Sequence, residues 1–233
     1  MSKTYRGYTL QQIAGAIDHS VLKPNSTIDD VQAGAAVAVK VGAASYCIRP
    51  MDVRAAAAAL EGSGVPVCTV IGFPHGTTTT ATKVFESVEA LGSGAVELDM
   101  VLNVSELVSG NADAVRNDIA AVVNATRGVN AKATVKVIFE TALLTREQIV
   151  LACELSMQAG AHFVKTSTGF ASEGATVENI RLMRETVGSS MKVKASGGIR
   201  TLDQIVDLLD AGADRCGCSG TEAVLAEFEQ KAL

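Results

Sequence analysis

The 233-residue sequence predicts an α/β protein, a single-domain (β/α)8 TIM barrel over residues 1–233, and three observations carry that prediction. Short β-branched runs alternate with Ala-rich amphipathic stretches from one end of the chain to the other. Eight strand candidates can be counted, which suits a compact barrel of about 250 residues. No Pro/Ser-rich linker divides the chain, and no Gly-x-Gly-x-x-Gly follows the first strand, as a doubly wound open sheet would present there.

In chain order the strand candidates are Ala16–Ser20, Ala44–Ile48, Val65–Gly72, Ala95–Leu102, Thr134–Glu140, Phe163–Ser167, Lys192–Ser196 and Arg215–Cys218. Pro24 and Asn25 end the loop of the first strand, and the run Ala55 to Ala59 reads as helix. Several helices stop at a glycine just before the next strand, at Gly42, Gly94, Gly160 and Gly212, where a left-handed residue is needed. Helix starts are marked by Thr145 with Gln148, a capping box, and by Thr201 ahead of Gln204.

With 48% hydrophobic residues the chain can bury a full core. Its 25 acidic and 20 basic residues are scattered, without the basic block that nucleic-acid binding leaves. No apolar run reaches membrane-span length and the first ten residues are too polar for a secretory signal, so a cytoplasmic protein with neither a nucleic-acid nor a membrane partner is expected. The five cysteines, an odd number at irregular spacing, read as reduced thiols. Cys216 and Cys218 lack a second pair at zinc spacing, so no structural metal is expected.

Strand side chains alternate between faces, so each barrel strand carries one row facing inward. If Val96, Leu98 and Met100 pack on helices, Glu97 and Asp99 point in; by the same logic Lys136 and Glu140, then Phe163, Lys165 and Ser167, then Lys194 and Ser196 face the interior. An ordinary barrel carries Val, Ile and Leu there. Buried charges persist only when paired or put to chemical use. Glu97, Lys136 and Glu140 read as a structural ion-pair network at the bottom of the barrel. Asp99, Lys165 and Lys194 lie later in their strands, toward the C-terminal face where active sites are built.

A lysine is nucleophilic only as the free amine, and its ordinary pKa is about 10.4. Lys194, on the strand next to Lys165, is a cation whose repulsion would favour the neutral amine, and Asp99 is a carboxylate for proton transfer. Lys165 is therefore the expected imine-forming residue. Two glycine-rich loops, Ser196-Gly197-Gly198-Ile199-Arg200 and Gly217-Cys218-Ser219-Gly220, follow strands seven and eight, the usual phosphate site of this barrel class. Thr166-Ser167-Thr168-Gly169, beside Lys165, is expected to complete the phosphate site, with Thr168 among its binding residues.

The chain closely resembles the deoxyribose-phosphate aldolase family in five segments: Asp18-His19-Ser20-Val21-Leu22-Lys23-Pro24, Glu97-Leu98-Asp99-Met100-Val101-Leu102-Asn103, Val137-Ile138-Phe139-Glu140-Thr141, Phe163-Val164-Lys165-Thr166-Ser167-Thr168-Gly169-Phe170, and Val193-Lys194-Ala195-Ser196-Gly197-Gly198-Ile199-Arg200. The resemblance implies a class I aldolase, without metal or cofactor, that reversibly cleaves 2-deoxy-D-ribose 5-phosphate to D-glyceraldehyde 3-phosphate and acetaldehyde in deoxyribose phosphate catabolism. It further implies Lys165 as the Schiff-base lysine and Asp99 and Lys194 as proton donor and acceptor. Gly169, Gly197, Gly198, Gly217 and Ser219 match the phosphate cradle, and Asp18 and Cys47 line the substrate end of the pocket. Two departures stand out. Some members carry lysine where this chain has Phe170, which throws the phosphate onto backbone donors and Arg200. Others end in a tyrosine credited with proton transfer, but here the sequence ends Lys231-Ala232-Leu233, so that help is expected to be absent or to come from water. Partners are then a sugar phosphate and acetaldehyde, with a homodimer as the candidate assembly. The rival readings are a transaldolase-type or fructose-bisphosphate-type lysine aldolase and a sugar-phosphate-binding protein without catalysis.

Overall fold

A computed structural model describes residues 3–232; Met1, Ser2 and Leu233, and with them the expectation resting on the final residue, lie outside the described residues. Eight parallel strands close a barrel: β1 (Ile17–Val21), β2 (Ser45–Ile48), β3 (Val67–Ile71), β4 (Glu97–Val101), β5 (Thr134–Ile138), β6 (Phe163–Lys165), β7 (Lys192–Ser196) and β8 (Arg215–Cys218). The seam pairs β8 with β1, with Gly217 opposite Asp18. Short α1 (Leu10–Ala14) precedes the barrel, and the strands are separated by α2 (Ile28–Val41), α3 (Val53–Ala59), α4 (Thr80–Gly92), α5 (Val104–Val108), α6 (Ala112–Val129), α7 (Arg146–Gln158), α8 (Val177–Val187) and α9 (Leu202–Asp210), with α10 (Thr221–Lys231) last.

The main apolar core lies between strands and helices. Leu98, Met100, Val135, Val137, Val164 and Val193 turn outward onto Val31, Ile119, Val122, Ile149, Ile180 and Val206 in one buried cluster. Each large side chain so buried stabilises the fold by about 1.5–3 kcal/mol. Val96, expected in that row, precedes β4 and stays 37% exposed. The Thr145–Gln148 capping box forms, Thr201 caps α9 through Gln204, and Gly42 and Gly160 adopt φ of 67° and 76° after their helices.

Strand ends differ from the sequence expectation. β5 stops at Ile138 because Glu140 takes a left-handed backbone with φ of 58°, and β6 stops at Lys165 although Thr166 N–H still donates to the Lys194 carbonyl at 3.1 Å. An element not anticipated is the hairpin of Thr4–Tyr5 and Tyr8–Thr9, turned on Arg6 and Gly7 with φ of 50° and 89°. It straps α9: Tyr5 donates to Asp203, Arg6 pairs with Asp207 and Asp210, and Tyr8 donates to Asp210.

Candidate active site

The inward rows converge on one carboxylate. Asp99, in the middle of β4 and fully buried, receives Lys165 Nζ at 2.7 Å and Lys194 Nζ at 2.8 Å on Oδ2, and Lys136 Nζ at 2.9 Å on Oδ1. Register accounts for this convergence. Asp99 lies directly opposite Lys136 across β4 and β5, and Lys165 directly opposite Lys194 across β6 and β7. Asp18 on β1 forms the second node: its Oδ2 meets Lys194 Nζ at 2.5 Å as an ion contact outside hydrogen-bond directionality, and its Oδ1 accepts from Arg215 at 2.6 Å. Glu97 completes the set, 2.5 Å from Lys136 and 3.4 Å from Arg215. Below it the Phe163 ring lies under Lys136 at 5.8 Å and Arg215 at 5.7 Å, so a π face closes the charged layer.

Register does not keep the expected structural trio of Glu97, Lys136 and Glu140 apart from Asp99, Lys165 and Lys194. Lys136 sits level with Asp99 and bonds to it, because the register places the two residues side by side. Glu140 leaves the network altogether: it lies beyond the end of β5, at the mouth, where it accepts from Thr168 rather than from Lys136. Arg215 escaped the sequence reading, although alternation in Arg215-Cys216-Gly217-Cys218 puts Arg215 and Gly217 on one face. Cys68 was missed as well. Its thiol donates to Asp99 Oδ1 at 3.2 Å and accepts from Lys136 at 3.4 Å, opposite Cys47 on the neighbouring strand.

Charge counting characterises the layer. Lys136, Lys165, Lys194 and Arg215 face Asp18, Glu97 and Asp99, which leaves one positive charge in excess when all are ionised. Burial alone pushes the Asp99 carboxyl up, but Lys136, Lys165 and Lys194 together hold it well below the usual carboxylate range. Asp18 is lowered in the same way, against burial, by Lys194, Lys136 and Arg215. Burial works against the Lys194 ammonium, yet Asp18 and Asp99 outweigh it and raise its pKa; Lys136 is raised chiefly by Asp99 against the same burial. The expected Lys165–Lys194 adjacency is present, with Asp99 Oδ2 between the two ammonium groups, so their repulsion is largely offset by a shared anion.

Cys47 is buried beside this layer. A hydrogen bond with Cys68 pulls its thiol below the ordinary value despite burial, whereas burial pushes Cys68 well above. The two sulfurs and an Asp99 oxygen lie within 4.8 Å of one another, a donor set for a soft divalent cation. Three ammonium groups already on Asp99 make another cation costly there. His19 points away from Cys47, stacked on Tyr46 and bonded to Thr221.

The glycine loops meet at the mouth. A side chain on Gly197 would come within 2.9 Å of Gly174 Cα and 3.5 Å of Gly169 Cα, so only glycine lets the two loops close on each other. Gly217 serves a different purpose, because a Cβ there would lie 3.0 Å from Ser196 Cβ and 3.5 Å from Lys194 Cε, in the space the lysine uses to reach Asp18 and Asp99. Among the described residues, the N–H groups of Gly169, Gly197, Gly198, Ser219 and Gly220 enter no backbone hydrogen bond. Gly220, whose N–H faces the Cys218 thiol, caps α10, and the positive end of that helix adds to the row. Ser219 and Arg200 are exposed at the same rim, and Ser167 Oγ is buried without a hydrogen-bond partner among the described residues. A cavity of about 160 Å³ touches Gly197 and Gly198 from their outer side, but it is also lined by Asp207, whose carboxylate opposes an anion. A second cavity, of about 180 Å³, opens on the far side of the mouth between Glu140, Thr168, Phe170, His75 and Leu143.

With this geometry in place, the chain can be set beside known proteins that it is similar to. A family model described as DeoC/LacD family aldolase matches residues 12–229. A deoxyribose-phosphate aldolase of Bacillus cytotoxicus is 53% identical over 220 residues, 94% of this chain and 97% of that one. A solved putative deoxyribose-phosphate aldolase from Coccidioides immitis superposes with a TM-score of 0.90 at 41% identity, covering 97% of this chain and 88% of that one. A tetrameric deoxyribose phosphate aldolase from Aeropyrum pernix gives 0.88 at 32% identity, covering 95% and 92%. The charged barrel layer and the glycine-lined mouth therefore sit in a chain that belongs to the DeoC/LacD family of aldolases.

Proposed function

We propose that this chain, acting as one barrel domain over residues 1–233, is a class I aldolase that reversibly cleaves 2-deoxy-D-ribose 5-phosphate to D-glyceraldehyde 3-phosphate and acetaldehyde. The observation that carries the residue assignment is the unbalanced charge of the interior layer, centred on Asp99. Removing one proton neutralises the set. Among the described residues Lys165 pairs with Asp99 alone, whereas Lys194, Lys136 and Arg215 each reach two carboxylates or more, so Lys165 is the least tethered amine of the layer and the one free to reach a substrate carbonyl.

The free amine of Lys165 adds to the C1 aldehyde of the open-chain sugar, and loss of water leaves a protonated imine. Removal of the C3 hydroxyl proton then lets the C2–C3 bond break: its electron pair passes into the imine as an enamine, and C3 departs as the aldehyde of glyceraldehyde 3-phosphate. Protonation of the enamine carbon and addition of water release acetaldehyde and restore the amine. Asp99 moves these protons, directly or through water. Of the two parts expected of Lys194, its contacts favour that of the fixed cation, since two carboxylates hold its proton firmly. Asp18 orients Lys194, and Cys47 borders the aldehyde end. The free N–H groups of Gly169, Gly197, Gly198 and Ser219, with Gly217 keeping the approach open and Arg200 at the rim, hold the phosphate and fix the reacting geometry.

Trapping with borohydride in the presence of acetaldehyde tests the central assignment. A reduced ethyl adduct is expected on Lys165, and Lys165→Leu should yield no adduct and lose at least about a thousandfold in kcat/KM. An adduct mapped to another residue, or none on the wild-type chain, overturns the reading. Five buried unpaired cysteines, and the absence among described residues of any helix long and apolar enough to cross a membrane, support a cytoplasmic setting. The proposed assembly is a homodimer; light scattering that gives the mass of one chain or of four would replace it.

A further inference from the structure

Glu140 is a carboxylate that neither the charged layer nor the phosphate cradle uses. It is buried, at 5% exposure, and makes no ion pair among the described residues. Its backbone is left-handed, at φ of 58°, which is uncommon for any residue but glycine and costs a side-chain-bearing residue stability. A buried, unpaired and strained carboxylate calls for a reason, and its partners supply one. Both carboxylate oxygens accept from Thr168 N–H, at 3.3 and 3.4 Å, and Oε2 also accepts the Thr168 hydroxyl. Thr168 Oγ1 in turn accepts from Phe170 N–H at 3.1 Å. Gly169, with φ of 87° and an N–H that enters no backbone hydrogen bond, is thus held between two pinned residues.

The same segment is fixed on its other side. Thr166 Oγ1 donates to the Ser196 carbonyl at 3.1 Å and accepts from Ser196 N–H at 3.1 Å, while Ser196 donates its hydroxyl to the Ser167 carbonyl. Residues 166–170 therefore run from Lys165 to the mouth clamped between the ends of β5 and β7. We propose that Glu140 is a positioning residue: through Thr168 it aims the Gly169 N–H at the substrate phosphate, and it thereby sets the preference for phosphorylated over unphosphorylated sugars. The strained backbone of Glu140 fits this role, because the left-handed turn brings the carboxylate back over the start of the next loop. Thr141 N–H donates to the Thr166 carbonyl at 3.0 Å and fixes the distance between the two loops.

This inference rests on the phosphate-binding reading above, so its test separates the two. Two variants are compared with wild type on 2-deoxyribose 5-phosphate, on unphosphorylated 2-deoxyribose, and for competitive inhibition by inorganic phosphate. Glu140→Gly suits the left-handed backbone and removes the whole side chain, carboxylate included, without adding backbone strain, which favours correct folding. KM for the phosphorylated sugar and Ki for phosphate should each rise about tenfold, with kcat within about threefold. On 2-deoxyribose, kcat/KM should fall no more than about threefold. Glu140→Gln keeps an acceptor oxygen and should recover most of the loss. Equal losses on both sugars, or an unchanged Ki for phosphate in Glu140→Gly, would overturn the positioning role. Borohydride adduct formation with acetaldehyde reads the aldolase chemistry independently: a wild-type chain that forms no adduct condemns the parent reading, whereas normal adduct formation with an unaltered phosphate preference in Glu140→Gly condemns this one alone.

Discussion

Two buried ionic sites in this molecule are built on opposite plans. In the helix layer, Lys83 on α4 is fully buried and gives its ammonium to Asp118 on α6 at 2.6 Å and to the Val101 carbonyl at 3.0 Å, while Thr80 donates to the other Asp118 oxygen at 2.7 Å. One cation meets one anion, and the neutral partners are backbone and hydroxyl. Inside the barrel, four cations share three carboxylates, and Asp99 is contacted by three ammonium groups. The first arrangement has no proton to spare. The second balances only after it gives one up. Burial is common to both, so burial does not tell the two apart; uneven charge does.

That contrast can be broken from either side, and the largest effect is expected in the closed pair. Lys83→Met leaves Asp118 buried and uncompensated and should cost about 3–5 kcal/mol by urea unfolding, whereas Lys83→Met with Asp118→Leu should recover much of it. At equal folded protein, KM and kcat of both variants should match wild type; a loss of kcat in the double variant would tie the helix pair to the chemistry.

Lys194→Leu makes the interior set even, three against three, and so removes the excess positive charge beside Lys165. Adduct formation with acetaldehyde should slow by about a hundredfold at pH 7 and much less at pH 10, where the alkaline solvent itself takes the ammonium proton. An equal fractional loss at both pH values would show that the excess charge is not what frees the amine.

Acidity gives the smallest effect. Asp18 and Asp99 are depressed in the folded chain, so their contribution to stability is present above the unfolded carboxyl value of about 3.9 and is lost as pH falls toward the folded value. Between pH 5 and pH 3 the wild-type unfolding free energy should drop by about 1 kcal/mol for each of the two carboxyls, and Asp99→Asn should flatten the slope. A slope unchanged in Asp99→Asn would place the titrating groups elsewhere.

The sequence makes strand centres and inward rows legible because the two-residue alternation survives any shift of strand ends, and that alternation groups Glu97, Asp99, Lys136, Lys165 and Lys194. Strand ends are less legible. Nothing in Phe139-Glu140-Thr141 announces a left-handed residue, so extending the alternation carried Glu140 into a layer it does not join. Arg215 lay in a four-residue strand flanked by small residues, too short for its alternation to stand out, and Cys68 looked apolar because a thiol gives no charge to notice. The hairpin at Arg6-Gly7 rested on two-residue strands, below the length at which a period can be seen.

Asp18 has a consequence during synthesis. It sits on the first barrel strand to emerge, its partners Lys194 and Arg215 are made near the end, and the barrel closes only when β8 reaches β1. Until then β1 is an open edge, the kind of surface on which half-made chains stick to one another. A buried-to-be carboxylate on that edge makes pairing with a foreign strand unfavourable, so the residue that later anchors the lysine layer is placed to work against aggregation before the barrel closes.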